Sequence, residues 1–139
     1  GRCEADTVVL VHDAARPLTP PQVTERVIDA VAGGAGAVIP VLPVTDTLKT
    51  VDASGVVIGT PRRSDMVAVQ TPQGFRWDVL IRAHEEGASL GADEARAATD
   101  DAGLVEAIGG TVHTVAGDER SMKVTRPLDL ALAQILVAE

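Results

Sequence analysis

The fold is most clearly indicated by Thr7-Val-Val-Leu-Val-His-Asp-Ala-Ala-Arg-Pro17, in which an apolar and β-branched run stops at a polar turn. The run does not alternate between apolar and polar residues, so it predicts a strand buried on both faces, as in a parallel sheet covered by helices. In such sheets, ligands bind just outside the carboxyl ends of the strands. Asp13 and Arg16 would stand at that edge, where they could hold a metal ion and an anion together.

The rest of the chain predicts alternating helices and strands. A helix should begin at residues 19–22, where threonine and proline precede an apolar stripe, and should end at Gly33-Gly34. Later elements are expected as strands at 37–42, 67–69, 111–115 and 122–124, helices at about 76–86, 99–110 and 127–137, and a loop or short helix at 88–98. We expect Leu128, Leu132, Ile135 and Leu136 of the last helix to face inward. The pattern as a whole predicts an α/β fold.

Residues 44–62 interrupt this alternation. Apolar and polar residues alternate over Thr47–Asp52, a turn follows at Ala53-Ser-Gly55, and Val56–Ile58 reads as a second strand. This pattern predicts a β-hairpin inserted where a helix would be expected. An extended hairpin without a covering helix usually packs on something else, often a second subunit.

Composition narrows the classes of function. The net charge of −8 argues against a general nucleic-acid binder, which needs a cationic surface, and means that few local cations or a metal must hold any phosphorylated ligand. No apolar stretch approaches the roughly 18 residues of a membrane span, and the start of the chain shows no secretion signal. The single Cys3 suits a reducing compartment. We therefore expect a cytoplasmic protein with neither nucleic-acid nor membrane partners.

Asp13 is the first candidate for chemistry. It could cap the turn after the strand, or it could bind a metal, since Mg²⁺ sites often combine one or two carboxylates with ligand phosphates. A third interpretation is a phosphoryl-accepting nucleophile. The dehalogenase-like phosphatases that use such a nucleophile carry a second aspartate two residues later, where this chain has Ala15. The third interpretation is therefore the weakest.

Several cations could hold a phosphate. Arg16 is either an ordinary surface arginine or, beside Asp13, a guanidinium that binds phosphate through two hydrogen bonds. The pair Arg62-Arg63 at the foot of the hairpin is most simply a charged strand edge. Lys123 stands in a short apolar segment next to a helix start, which favours contact with a phosphate.

Five short motifs follow one another along the chain: His12–Pro17, Asp46-Thr47 with Lys49, Gln70–Gln73, Thr99–Asp101, and Lys123–Thr125 with Asp129-Leu130. Their order and spacing resemble the 2-C-methyl-D-erythritol 4-phosphate cytidylyltransferase family, from about Thr7 to the end. The resemblance implies a Rossmann-like nucleotide-diphospho-sugar transferase fold. It also implies an enzyme that joins CTP to 2-C-methyl-D-erythritol 4-phosphate, giving 4-diphosphocytidyl-2-C-methyl-D-erythritol and pyrophosphate in non-mevalonate isoprenoid biosynthesis.

The resemblance also implies roles for individual residues. Asp13 would hold the Mg²⁺ that bridges the CTP phosphates, and Lys123 would share in binding this cofactor. Arg63 and Lys123 would be catalytic, positioning the methylerythritol phosphate for in-line attack on the α-phosphorus of CTP. The same substrate would be bound by Arg16, Thr47, Thr71 and Thr99. The hairpin would be the arm of a homodimer, bringing Thr47 and Arg63 to the partner's site.

The chain departs from the family pattern at its start. Family members begin with a strand and a Gly-rich loop that grips the CTP triphosphate, and they carry a segment that recognises cytosine; neither is present in this sequence. We therefore expect residues 1–139 to be the C-terminal portion of a single nucleotidyltransferase domain, with the hairpin arm at about 44–62. Two alternatives stay open: a nucleotidyltransferase of the same fold that acts on a different sugar or sugar acid, and a non-catalytic, dimer-forming fragment.

Overall fold

The computed structural model describes residues 4–90 and 100–138. The strands are β1 Val8–Val11, β2 Ala37–Pro43, β3 Thr50–Val51, β4 Val57–Gly59, β5 Val67–Val69, β6 Gln73–Arg76 and β7 Val112–Ala116. The helices are α1 Pro21–Ala32, α2 Trp77–Leu90, α3 Asp101–Ala107 and α4 Pro127–Ala138, with 3₁₀ turns at Arg63–Asp65 and Glu119–Ser121. Most of the predicted elements are therefore confirmed. The part of the expected loop at 91–98, and Thr99, lie outside the described residues.

The main sheet places β6 between β1 and β2, and β7 pairs with β2 in parallel. β6 runs antiparallel to both β1 and β2, so β1 and β2 are parallel to each other but not adjacent. β5 and β6 both pair with β2, β5 with its residues 41–43 and β6 with its residues 37–38, and Thr71-Pro72 falls outside both pairings. The sheet thus contains parallel and antiparallel pairs. The stretch between β5 and β6, where the pairing is interrupted, lies beside the end of β1.

The expectation of a first strand inside a parallel sheet and buried on both faces is wrong. β1 pairs antiparallel with β6; Val8, Val9 and Val11 are half-buried and Leu10 is exposed. A continuous apolar run does not encode the direction of its neighbour, which is why the sequence pattern failed here. The neighbour itself, β6, was not predicted as a strand, because Pro72 and Gly74 on either side of Gln73 interrupt the strand pattern.

The sheet separates two apolar layers. Ala37, Ile39 and Phe75 pack with α2 and α3 on one face, whereas Val38 packs with Val27 and Val31 of α1 on the other. Adjacent residues of β2 thus serve opposite faces, as the alternation of side chains along a strand requires. At Gly74, a Cβ atom would lie 2.3 Å from Val27 Cγ1, so only glycine lets α1 approach β6 this closely. The predicted α/β fold is confirmed.

The hairpin at 44–62 is confirmed as a separate two-stranded sheet formed by β3 and β4. Its apolar side chains are largely exposed, and Ile58 retains 67% of its accessible surface.

Two predictions near the end of the chain are wrong. Residues 122–124 form no strand; they continue from the 3₁₀ turn, and the Val124 amide donates to the Ala15 carbonyl at 2.8 Å. In α4, three of the residues expected to face inward, Leu128, Leu132 and Ile135, are exposed, Leu128 by 78%. Leu136 is half-buried, and Ala133 is the buried residue of the helix. This helix is apolar on nearly every side, so its sequence has no stripe that marks an inner face. Among the described residues, none of the helices is both long and apolar enough to cross a membrane.

Candidate active site at the end of β1

A groove of about 350 Å³ opens where β1 and β5 end and α3 begins. We call it the Asp13 groove. It is lined by Val11, His12, Asp13, Arg16, Val69, Gln70, Thr71, Gln73, Asp100, Asp101 and Lys123. Four of the residues predicted from sequence, Asp13, Arg16, Thr71 and Lys123, therefore lie together.

Asp13 is the electrostatic centre of the groove. Its Oδ2 atom lies 3.1 Å from Lys123 Nζ and 3.4 Å from Arg16 Nε. The hydrogen bond from Lys123 and the positive charges of Lys123 and Arg16 hold the pKa of Asp13 below its usual value, and burial opposes them only in part. The carboxylate is therefore ionised at neutral pH, next to two cations that can also face an anionic ligand.

Arg16 is held firmly along one wall. Besides Asp13, its guanidinium donates from Nη1 to the Ser121 carbonyl at 2.6 Å and from Nη2 to the Val69 carbonyl at 3.5 Å. These bonds use three of the five N–H groups of an arginine. Within residues 4–90 and 100–138, the other two N–H groups of Arg16 have no partner and can bind a ligand.

Thr71 is joined directly to the aspartate turn. Its Oγ1 atom accepts a hydrogen bond from the Asp13 amide at 3.0 Å and lies 2.8 Å from His12 Nδ1. The Thr71-Pro72 peptide is cis. The interruption of the sheet thus places this hydroxyl group against the backbone of the turn that carries Asp13.

Two glutamines were not singled out in the sequence as separate site residues. Gln73 is buried and donates to Asp100 Oδ2 at 2.7 Å, while its Oε1 atom accepts from the Ala102 amide at 3.1 Å. Asp100 in turn caps α3 by accepting from the Gly103 amide. Gln70, also buried, binds the backbone beyond β7. The sequence could have indicated them, because two glutamines stand in a short turn next to an apolar strand. A polar side chain that is buried at such a place needs hydrogen-bond partners.

The other predicted residues lie elsewhere. Arg63 lies in a second groove, of about 520 Å³, at the end of β2, where its Nη1 atom donates to the Thr45 carbonyl at 2.8 Å. Thr47 is exposed just before β3. Within residues 4–90 and 100–138, neither residue lines the Asp13 groove. Thr99 is outside the described residues.

The donor set bears on the predicted Mg²⁺. The described part of the chain holds no cluster of three or more His, Cys, Asp or Glu side chains suited to a metal. Asp13, ionised, faces the same groove as Asp100 and Asp101. Because Mg²⁺ commonly takes one or two carboxylates and completes its shell with water and substrate phosphates, the ionised Asp13 is suited to hold an ion that binds together with a phosphorylated ligand.

The family model described as 2-C-methyl-D-erythritol 4-phosphate cytidylyltransferase matches residues 3–139. The chain belongs to this family. It is 54% identical over 131 residues to a curated relative from Rhodococcus jostii and 57% identical over 132 residues to one from Frankia casuarinae, both bearing the family's name. These alignments cover 94% and 95% of this chain but 55% and 47% of the relatives. The chain thus spans about half the length of the curated relatives it matches.

Solved structures of the family share the fold. The enzyme from Thermus thermophilus superposes with a TM-score of 0.80 at 40% identity, covering 95% of this chain and 62% of that one. The enzyme from Francisella tularensis gives a TM-score of 0.84 at 28% identity, with coverages of 95% and 60%. The predicted nucleotidyltransferase fold of this family is therefore confirmed over the part that the chain represents.

Proposed function

We propose that the whole protein transfers a cytidylyl group from CTP to 2-C-methyl-D-erythritol 4-phosphate and releases pyrophosphate. The observation that supports this most strongly is the convergence of Asp13, Arg16 and Lys123 in one groove of a chain that belongs to the family. In the reaction, a phosphate oxygen of methylerythritol phosphate bonds to the α-phosphorus of CTP, and the bond from that phosphorus to the β-phosphate oxygen breaks.

The residues of the groove are suited to the charge that this reaction concentrates. Phosphoryl-type transfer depends mainly on positioning and on fixed charges around the phosphorus. Lys123 would face the phosphates with its ammonium group, and Arg16 would offer its remaining N–H groups to the methylerythritol phosphate. Thr71 and Thr99 would hydrogen-bond the same substrate.

Asp13 would hold the Mg²⁺ ion, with Lys123 alongside to bind the metal-bound nucleotide. When bound, the ion would neutralise phosphate charge and polarise a phosphoryl oxygen. With a net charge of −8, the chain needs such help to hold a nucleoside triphosphate.

The hairpin is proposed as the arm of a homodimer. Arg63 and Thr47 lie apart from the Asp13 groove, and the adjoining two-stranded sheet exposes Val56, Val57 and Ile58. Burial of these side chains against a second copy would remove apolar surface from water and would carry Thr47 and Arg63 to the partner's groove. The chain would be the C-terminal portion of each subunit's nucleotidyltransferase domain, and a cytoplasmic location without nucleic-acid or membrane partners stays part of the proposal.

Release of pyrophosphate tests the proposal. The whole protein should release pyrophosphate only when CTP, methylerythritol phosphate and Mg²⁺ are all present. Asp13→Asn and Lys123→Met should each lower kcat by about 10²-fold or more, because each removes a fixed charge beside the reacting phosphates. Asp29→Asn and Arg82→Met make the same charge changes on exposed helix positions and should leave kcat unaltered.

Two outcomes would contradict it. Unchanged turnover in both Asp13→Asn and Lys123→Met would show that the groove is not the reaction site. Faster turnover with another sugar phosphate or a sugar acid, in a panel of acceptors with CTP, would assign the protein to a different substrate.

A further inference from the structure

Gln70 has no role in the proposed reaction, yet its side chain is almost completely buried, with 4% of its surface exposed. Its Nε2 atom donates to the Asp118 carbonyl at 2.9 Å, and its Oε1 atom accepts from the Asp118 amide at 3.0 Å. Its own amide donates to the Pro40 carbonyl of β2 at 2.8 Å. One side chain thus satisfies both backbone groups of a residue on another segment.

The segment that Gln70 holds passes directly against its amide group. A Cβ atom at Gly117 would lie 2.3 Å from Gln70 Oε1 and 3.0 Å from the Val41 carbonyl oxygen, so this position admits only glycine without displacement. The Gly117 amide also donates to that carbonyl at 2.9 Å. These contacts therefore fix the position of the backbone where the chain leaves β7.

From Asp118, a short path leads to Lys123. The Ser121 amide donates to the Asp118 carbonyl at 3.0 Å, closing the 3₁₀ turn, and the Ser121 carbonyl accepts from Arg16. Beyond Lys123, the Val124 amide is bonded to the Ala15 carbonyl. The segment 117–124 is thereby fixed at its start by Gln70, together with Arg26, which donates to the Ala116 and Gly117 carbonyls, and at its end by the turn that carries Asp13.

We propose that Gln70 is a positioning residue that, through Asp118, sets Lys123 at the distance from Asp13 at which it serves the reaction. This inference rests on the proposed function, because it assumes that Lys123 acts on the substrate phosphates. A neutral amide is suited to the task, since it offers one donor and one acceptor in fixed geometry and adds no charge to the groove. Small displacements of a positioned group are costly in catalysis.

Gln70→Met in the whole protein, similar in length but without the amide, should lower kcat about 10- to 100-fold, the cost of a displacement of about 1 Å. The KM for CTP should change less than about threefold, since the lost interaction belongs to the transition state. Gly117→Ala would push the segment away from the Gln70 amide and should also lower kcat. It therefore provides a second test if Gln70→Met fails to fold.

A double-mutant cycle separates positioning from general loss of structure. In a Lys123→Met background, adding Gln70→Met should lower kcat less than about twofold, because the group that Gln70 positions is already gone. Val27→Ala, on the buried face of α1 that packs against β2, provides the matched control. It should lower Tm while leaving kcat unchanged at temperatures well below Tm.

Hydrogen exchange gives a readout that does not depend on turnover. In Gln70→Met, the amides of Ser121 and Val124 should exchange faster while those of α1 and β2 stay protected; Val27→Ala should not show this local pattern. An unchanged kcat in Gln70→Met, full additivity in the cycle, or evenly raised exchange would each overturn the inference. Absence of cytidylyl transfer by the wild-type protein would instead contradict the proposed function, and the exchange experiment would still test the contact.

Discussion

Replacing Lys123 by methionine should destabilise the protein by a small amount that depends on pH. Lys123 Nζ lies 3.1 Å from Asp13 Oδ2, but the two side chains keep 48% and 36% of their surface exposed, so water screens the pair. Measured pairs of this kind contribute about 0.2–1 kcal/mol. We therefore expect Lys123→Met to lower the free energy of unfolding at neutral pH by no more than about 1 kcal/mol, which is about 2–4 °C in Tm for a domain of this size.

The pH dependence identifies the source of this energy. Because Lys123 and Arg16 lower the pKa of Asp13 in the folded state, their stabilising effect is present above the pKa of an unfolded aspartate. It is lost as the pH falls through the lower folded value. Wild type and Lys123→Met should thus differ most near neutrality and converge in acid.

Urea unfolding at pH 7, and at pH values stepped down below about 3.9, the pKa of an ordinary aspartate, measures this convergence. Arg82→Met, which removes an exposed positive charge from α2, is the control and should show no comparable dependence on Asp13. A difference between wild type and Lys123→Met that persists unchanged in acid would refute the ion pair as its cause.

Three further predictions concern other parts of the molecule. Gly74→Ala should lower the free energy of unfolding by about 1–3 kcal/mol in a urea titration, because its Cβ would overlap Val27, and an unaltered midpoint would contradict that packing. Asp100→Ala should cost about 1 kcal/mol by removing the side chain that accepts from the Gly103 amide, which calorimetry can detect as a lower Tm. If the hairpin is the arm of the proposed homodimer, Ile58→Asp should give a monomer in light scattering where the wild-type protein gives a dimer, because it places a charge on an exposed apolar face. A variant that remains dimeric would count against the hairpin arm.

The site was predictable where the sequence placed polar residues at the end of a strand. Asp13 and Arg16 follow β1 directly, so their location at the sheet edge follows from the local pattern alone. Lys123 stands more than a hundred residues later, and its position beside Asp13 depends on the path of the chain after β7. The sequence suggested its chemistry, but only the resemblance to the family joined it to Asp13.

The parts that were not predictable depend on tertiary contacts. β6 was missed because Gly74 weakens a strand pattern, although it is this glycine that allows α1 to approach. Because β6 was not predicted, the antiparallel pairing of β1 with β6 was not predicted either. The inner face of α4 was assigned wrongly because leucine, isoleucine, valine and alanine together occupy nearly all of its sides. In each case, contacts with residues distant in the sequence decide a structure that the local pattern does not indicate.

The identity of the product is the most direct test of whether the Asp13 groove belongs to a cytidylyl-transfer site. Phosphorus NMR can follow the whole protein incubated with CTP, methylerythritol phosphate and Mg²⁺. We predict that a diphosphate-linked cytidylyl product and pyrophosphate appear in equal amounts, and that neither forms with Asp13→Asn. If the wild-type protein leaves the substrates unchanged, or if Asp13→Asn forms as much product as the wild type, the Asp13 groove is not a cytidylyl-transfer site.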